Sequence, residues 1–219
     1  DVNANREADV AGSPVERPED QPNLNFDANA QKTQVTNTDA TYAKAKEYLD
    51  DIGAEGKILD YGAGLGGGSK VMGADSYEPY PQKGFEPTYG GTDASVIPSE
   101  SYDNIVSLNV LNVVKPDVRD YIVENIGRIL KPGGTSVIGT RPASIYKDLI
   151  KKGTQSPYEA DGVTTSTGTY QKGFTVTELR DYLQSVLGPD FTVSTEPSKR
   201  KAKDGKKMST TTVQVTKNE

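Results

Sequence analysis

Asp60 stands two residues before the first of the glycines Gly62, Gly64 and Gly67, in the stretch Lys57-Ile-Leu-Asp-Tyr-Gly-Ala-Gly-Leu-Gly-Gly-Gly-Ser69. Glycines at this spacing permit a tight turn in which backbone N–H groups approach a ligand with no Cβ in the way. Ile58 and Leu59 suit a buried parallel strand running into that turn, so the segment reads as a nucleoside-cofactor site. The spacing also fits the dinucleotide fingerprint of hydride-transfer folds. Asp60 separates the two, because that position is apolar in a dinucleotide turn, and a carboxylate buried there without a partner costs several kcal/mol. It requires a cation or a hydrogen-bond donor.

Such a turn works only if strands and helices hold it. Tyr42, Ala45, Tyr48, Leu49 and Ile52 form a helical stripe over 39–52, and Gly53 is a plausible stop. Residues 75–79 read as a second strand, a third ends near Gly91-Thr-Asp93-Ala94, and 101–114 hold the fourth. Between the first two strands, Ser69 to Met72 leave room for only a stub of helix. Val118, Tyr121, Ile122, Ile126 and Leu130 place a helix over 117–130 against the sheet. Pro132 is expected to stop it, with the glycines of Leu130-Lys-Pro-Gly-Gly134 turning the chain into a fifth strand, Thr135 to Thr140. The pattern then predicts a helix over 143–152, a long polar insertion over 153–173, and a helix through Leu187 opened by the capping box Thr175-Val-Thr-Glu178. Strands over 191–195 and 209–216 follow, joined by Lys199-Arg-Lys-Ala-Lys-Asp-Gly-Lys-Lys207.

The segment Ile58-Leu-Asp-Tyr-Gly-Ala-Gly64 resembles motif I of class I S-adenosylmethionine-dependent methyltransferases, where the amino group of the cofactor is a partner for the acid. With Leu130-Lys-Pro-Gly-Gly134 the resemblance spans roughly Tyr42 to Val215. It implies an α/β, Rossmann-like fold: a seven-stranded, mostly parallel sheet with a C-terminal antiparallel hairpin. It also implies a cofactor, S-adenosyl-L-methionine, bound by Asp60, Tyr61, Gly62, Ala63 and Gly64, by Glu78 and Pro79, by Asp93 and Ala94, and by Asn109. Glu78 would accept both ribose hydroxyls and Asp93 the adenine amino group. The sequence departs from the family in two places. The interval from Asp60 to Glu78 is short by about one helical turn, and Asn112 replaces the His of a Val-Leu-His-like motif after strand four. Asn112 reads as a structural hydrogen-bonder.

A narrower set, Leu59-Asp-Tyr-Gly, Asn109-Val-Leu-Asn-Val-Val114 and Gly168-Thr-Tyr-Gln-Lys-Gly173, is similar to methyltransferase-like proteins found beside DNA-modification systems and in mobile elements. That likeness implies nucleic acid as a possible partner and the host cytoplasm as location. The methyl acceptor belongs at the carboxyl ends of strands four and five. Arg141, Tyr170, Gln171 and Lys172 are the substrate-side candidates: Arg141 for an anionic acceptor, Tyr170 to stack on or orient one. The alternatives are that Arg141 pairs with a surface acid and Tyr170 anchors its loop. No general base is assigned, and the acceptor is a nucleic acid or a small molecule. The Asn/Asp-Pro-Pro-aromatic motif of DNA amino-methylation is absent after strand four.

Composition narrows the chemistry further. The 219 residues contain no Cys and no His, which removes disulfides, thiolate metal sites, His triads and the Cys nucleophile of ring-carbon cytosine methylation. No metal site is expected. Methyl transfer needs none of these, since the sulfonium is already activated. A net charge of −6 argues against binding nucleic acid over the whole surface. The basic run concentrates Lys199, Arg200, Lys201, Lys203, Lys206 and Lys207 in one place, either for phosphates or as a solvated turn. No membrane-spanning or signal segment is evident, so a cytoplasmic protein is expected. The chain opens on Asp1 rather than Met and is expected to be part of a longer polypeptide. Residues 1–38 read as a flexible arm or linker and 39–219 as the methyltransferase domain. Phe26 and Val35 are placed to anchor the arm, with Thr33, Gln34 and Asn37 as a lid. The alternative function is a noncatalytic binding or structural module of a larger phage- or mobile-element-like protein.

Overall fold

In the computed structural model, which describes residues 39–219, the first apolar run becomes β1 (Ile58–Tyr61), inside a seven-stranded sheet. The predicted N-terminal arm, its anchors and its lid residues lie outside the described residues. On one side of β1 lie β2 (Asp75–Glu78) and β3 (Tyr89–Gly90). On the other lie β4 (Tyr102–Leu108), β5 (Leu130–Thr140), β10 (Thr211–Lys217) and, at the edge, β9 (Phe191–Ser194). The first five strands are mutually parallel. β10 runs antiparallel to both β5 and β9, giving the expected antiparallel C-terminal pair.

Side-chain alternation along the strands feeds two cores. Leu59, Ile105, Ile138, Val213 and Val215 face one layer with α3 (Pro116–Ile129) and α5 (Val176–Leu187). Val106, Leu108 and Val137 face the other with Tyr42, Ala45, Tyr48 and Leu49 of α1 (Asp39–Asp51). The α3 stripe predicted from Val118 to Leu130 is buried throughout. Each fully buried Ile or Leu contributes about 1.5–3 kcal/mol relative to an exposed one. Ile52 departs from the pattern: it falls beyond the end of α1 and is 38% exposed.

Two local expectations are corrected. Leu130 already pairs with Tyr102, and pairing resumes at Thr135 with Asn104. Lys131-Pro-Gly-Gly134 is therefore an irregularity inside β5 rather than a turn ahead of it, with Gly133 at φ +75°. A Cβ on Gly134 would lie 2.8 Å from the carbonyl oxygens of Asp103 and Lys131, so the strand passes only with glycine there. The second concerns 143–173, where the long polar insertion carries strands of its own and the helix before it is shorter than expected. The insertion forms a three-stranded antiparallel sheet of β6 (Gly153–Gln155), β7 (Val163–Thr165) and β8 (Tyr170–Gln171). The helix expected over 143–152 is a single 3-10 turn, Ala143–Ile145, followed by α4 (Tyr146–Leu149). The capping box is present: Thr175 Oγ1 accepts from the Glu178 N–H at 3.1 Å, and Glu178 Oε2 accepts from the Thr175 N–H at 3.3 Å. No helix among the described residues is long and apolar enough to cross a membrane.

Candidate cofactor and acceptor site

Because Leu59 and Tyr61 point into the α3/α5 layer, Asp60 points the other way, toward α1 and the short α2 (Gly67–Met72). It is fully buried. Ser69, in α2, donates its hydroxyl to Asp60 Oδ2 at 2.7 Å. Oδ1 has no hydrogen-bond partner among the described residues. The Tyr42 hydroxyl is near enough to act on the carboxyl's proton affinity without making a hydrogen bond to Oδ1. Burial raises the Asp60 pKa to about 7, partly offset by Ser69 and Tyr42, while the charge of Glu78 pushes it further up. An uncompensated acid thus waits at the end of β1, ready to ionise when a cation arrives.

Gly62 turns the chain at φ +86°, and a Cβ there would lie 2.3 Å from Val110 Cγ2. The N–H groups of Gly62 and Ala63 both donate to the Tyr77 carbonyl at 2.9 Å. Gly64 donates to Glu78 Oε2 at 2.7 Å, and the Tyr80 N–H donates to Glu78 Oε1 at 3.0 Å. The turn is therefore fastened to β2 rather than presenting those amides to a ligand, a correction for Gly62, Ala63 and Gly64 as amide donors. Their contribution is shape: no side chain obstructs the approach. Glu78, 5% exposed, thus receives one backbone N–H on each oxygen, and Pro79 follows it half-buried. Tyr61 leads into the turn. Its ring packs edge-on against Tyr77 at 4.8 Å in the core, leaving only its backbone near the turn.

Further along the rim, Asp93 is exposed and accepts from the Ser95 N–H at 2.9 Å, capping the turn Ala94–Val96. Ala94 is wholly buried, its N–H given to the Tyr121 hydroxyl and its carbonyl to Arg128, so it has no polar group left for a ligand. Asn109, just past β4, sits in the left-handed region at φ +59°. Its N–H donates to Gly139 O at 2.7 Å, and its Oδ1 is buried without a partner.

The substrate-side residues divide. Arg141 is exposed at the end of β5 and makes no ion pair among the described residues. Tyr170 is 5% exposed and gives its hydroxyl to Glu159, so it anchors the insertion. Lys172 is 2% exposed and its ammonium is taken by Asp161 and by Glu178 Oε1 at 2.8 Å. Neither is free to meet a substrate. The backbone from Gln171 to Phe174 is a strap between the two parallel strands: Lys172 N–H donates to Asn112 O at 2.8 Å, and Phe174 N–H to Arg141 O at 2.9 Å.

Behind the strap lies a network missed from the sequence. Arg119, 3% exposed, forks onto both oxygens of Glu159 at 3.0 and 2.7 Å and caps the carbonyls of Leu111 and Val114. Burial raises the Glu159 carboxyl, but hydrogen bonds from Arg119 and Tyr170 outweigh it and hold the pKa below the usual range. A legible signal existed: Arg119 lies three residues before Ile122 on the apolar stripe of α3, where an unpaired guanidinium is costly.

In the basic run, Lys199 pairs with Glu196 at 2.9 Å, and Arg200 pairs with Asp51 at 3.1 Å while lying over the Tyr48 ring. These two are engaged within the domain. Lys201, Lys203, Lys206 and Lys207 are exposed and make no ion pair among the described residues.

No protein-family model matches the chain, and no curated protein matches it. Solved structures do. The PH0226 protein from Pyrococcus horikoshii is 13% identical, with a TM-score of 0.56 over 82% of this chain and 90% of that one. A Burkholderia thailandensis 1,6-didemethyltoxoflavin-N1-methyltransferase, solved with its substrate and S-adenosylhomocysteine, is 15% identical, with a TM-score of 0.55 over 83% and 80%. An S-adenosylmethionine-dependent methyltransferase from Clostridium acetobutylicum is 12% identical, with a TM-score of 0.54 over 85% and 94%. The fold is therefore the α/β fold of class I methyltransferases, with a mostly parallel seven-stranded sheet and antiparallel C-terminal strands.

Proposed function

We propose that the chain is an S-adenosylmethionine-dependent methyltransferase, with the cofactor at the carboxyl ends of β1 and β2 and the acceptor beside Asn109 and Arg141. Asp60 carries the proposal: a fully buried carboxyl with one oxygen unpaired, beside a glycine turn cleared of side chains. The cationic amino group of the cofactor is a partner for that oxygen, and Glu78, at the end of β2, is the acid proposed for the ribose hydroxyls. When bound, the sulfonium supplies an activated methyl group, so the protein's work is to position and to exclude water. Lys201, Lys203, Lys206 and Lys207 support nucleic acid as a partner, and Arg141 supports an anionic group on a small acceptor. Calorimetric titration with S-adenosylmethionine, S-adenosylhomocysteine and NAD tests the cofactor. Micromolar binding of the first two, weakened in Asp60→Ala, is expected. No binding would put the noncatalytic module first.

A further inference from the structure

At the carboxyl ends of β4 and β5, Asn109 Oδ1, Asn112 Oδ1, Thr140 Oγ1 and Gln171 Oε1 are all buried and have no hydrogen-bond partner among the described residues. Backbone contacts make their residues neighbours. Asn109 is bonded to Gly139, which places it next to Thr140. The strap residue Lys172 is bonded to Asn112, which places Gln171 beside it, and the strap then crosses to Arg141. Thr140 is fully buried and Asn112 is 1% exposed, so solvent does not reach these side chains freely. Buried polar atoms are rarely left unpaired in folded proteins, and a concentration of them at the mouth of a fold marks a missing partner.

Three of these four atoms are amide carbonyl oxygens and the fourth is a hydroxyl, so what they lack is hydrogen-bond donors, as on a ligand edge that carries N–H groups. Charge argues in the same direction. The nearby carboxylates of Glu159, Asp161 and Glu178 are already paired with Arg119 and Lys172, leaving none to hold an ammonium, and Arg141 at the rim repels one. Resting on the methyltransferase reading above, we propose that this cluster is the acceptor subsite and that it takes a non-cationic planar nitrogen heterocycle or amide through its N–H edge.

The test uses 2-pyridone, which has such an edge, and 1-methyl-2-pyridone, which has the same ring without the N–H. Each is titrated by ligand-observed NMR into the chain saturated with S-adenosylhomocysteine and into the free chain. The expected result is roughly tenfold or greater preference for 2-pyridone, because the methylated probe leaves a buried acceptor unpaired. Gln171→Met and Thr140→Val should each shrink that preference while S-adenosylhomocysteine affinity stays at the parent value, which also reports that the variants are folded. Equal affinity for the two probes in both forms overturns the proposal, as does a preference that survives both substitutions. A chain that fails to bind S-adenosylhomocysteine yet keeps the N–H preference upholds the subsite and removes the cofactor reading instead.

Discussion

Ser69 Oγ donates to Asp60 Oδ2 at 2.7 Å, and the other oxygen of the same carboxyl is buried with no hydrogen-bond partner among the described residues. Desolvation outweighs the help from Ser69 and Tyr42, which is why the pKa rises to about 7. The free chain is thus strained at a single atom, and the strain has measurable consequences.

The first concerns stability. With a pKa raised from 3.8 to about 7, the folded chain binds a proton that the unfolded chain has lost between those values. Stability from this group is therefore complete below pH 4 and is lost as pH rises through 7, by about 4 kcal/mol at most. Asp60→Asn should remove that loss, so that urea denaturation finds the variant more stable than the parent at pH 8 but not at pH 4. Equal differences at the two pH values would refute the assignment.

A second consequence concerns the cofactor. If its ammonium pairs with ionised Asp60, binding below pH 7 must first expel the proton. Affinity should fall roughly fivefold from pH 7 to pH 6 and close to tenfold per unit below that, with proton release visible as a buffer-dependent calorimetric enthalpy. Asp60→Asn should flatten this profile and cost about 1.5–3 kcal/mol of binding at pH 8.

Glu159→Ala leaves the guanidinium of Arg119, 3% exposed, without its carboxylate. Breaking a buried pair from one side costs about 3–5 kcal/mol. The variant should lose stability of that order in urea, and limited proteolysis should cut first within 153–173, since Tyr170 loses the same anchor.

Gly62→Ala faces both a left-handed backbone and a contact at 2.3 Å with Val110. Gly53→Ala shares the positive φ, at +72°, but meets nothing within 4 Å. The second change should cost about 1 kcal/mol and the first at least 1–3 kcal/mol more, with loss of cofactor affinity. Similar melting temperatures for the two would mean that the turn does not press on Val110.

Reversing Lys201, Lys203, Lys206 and Lys207 to Glu should weaken binding to a fluorescent DNA duplex and lower its salt slope by up to about 4 if all four meet phosphates. A parent chain with no salt-dependent binding removes the basic turn as a partner surface.

Much of this was written in the residue order. Apolar spacing located α1, α3 and α5, and Asp60 with its glycines located the end of β1, because each signal is local and periodic. β6, β7 and β8 escaped because strands of two or three residues carry no period. Loop anchoring by Tyr170 was one of the two readings open, but the role of Lys172 escaped for another reason: polar side chains in a Thr-rich stretch look solvent-facing until the fold brings Glu159, Asp161 and Arg119 together. The fastening of Gly62, Ala63 and Gly64 to β2 was equally hidden, since it depends on backbone hydrogen bonds between segments.

The strap from Gln171 to Phe174 is held to its neighbours by main-chain hydrogen bonds to Asn112 and Arg141, which any amino acid other than proline at 172 and 174 can make. Its position does not depend on the side chain at Gln171. Gln171 is therefore the strap position that can change without loosening the backbone that carries it, whereas Lys172 and Phe174 are buried and a Cβ on Gly173 would meet the Pro142 carbonyl oxygen at 2.3 Å. On the proposed reading, acceptor preference can change at this one position while the donor pocket keeps its walls.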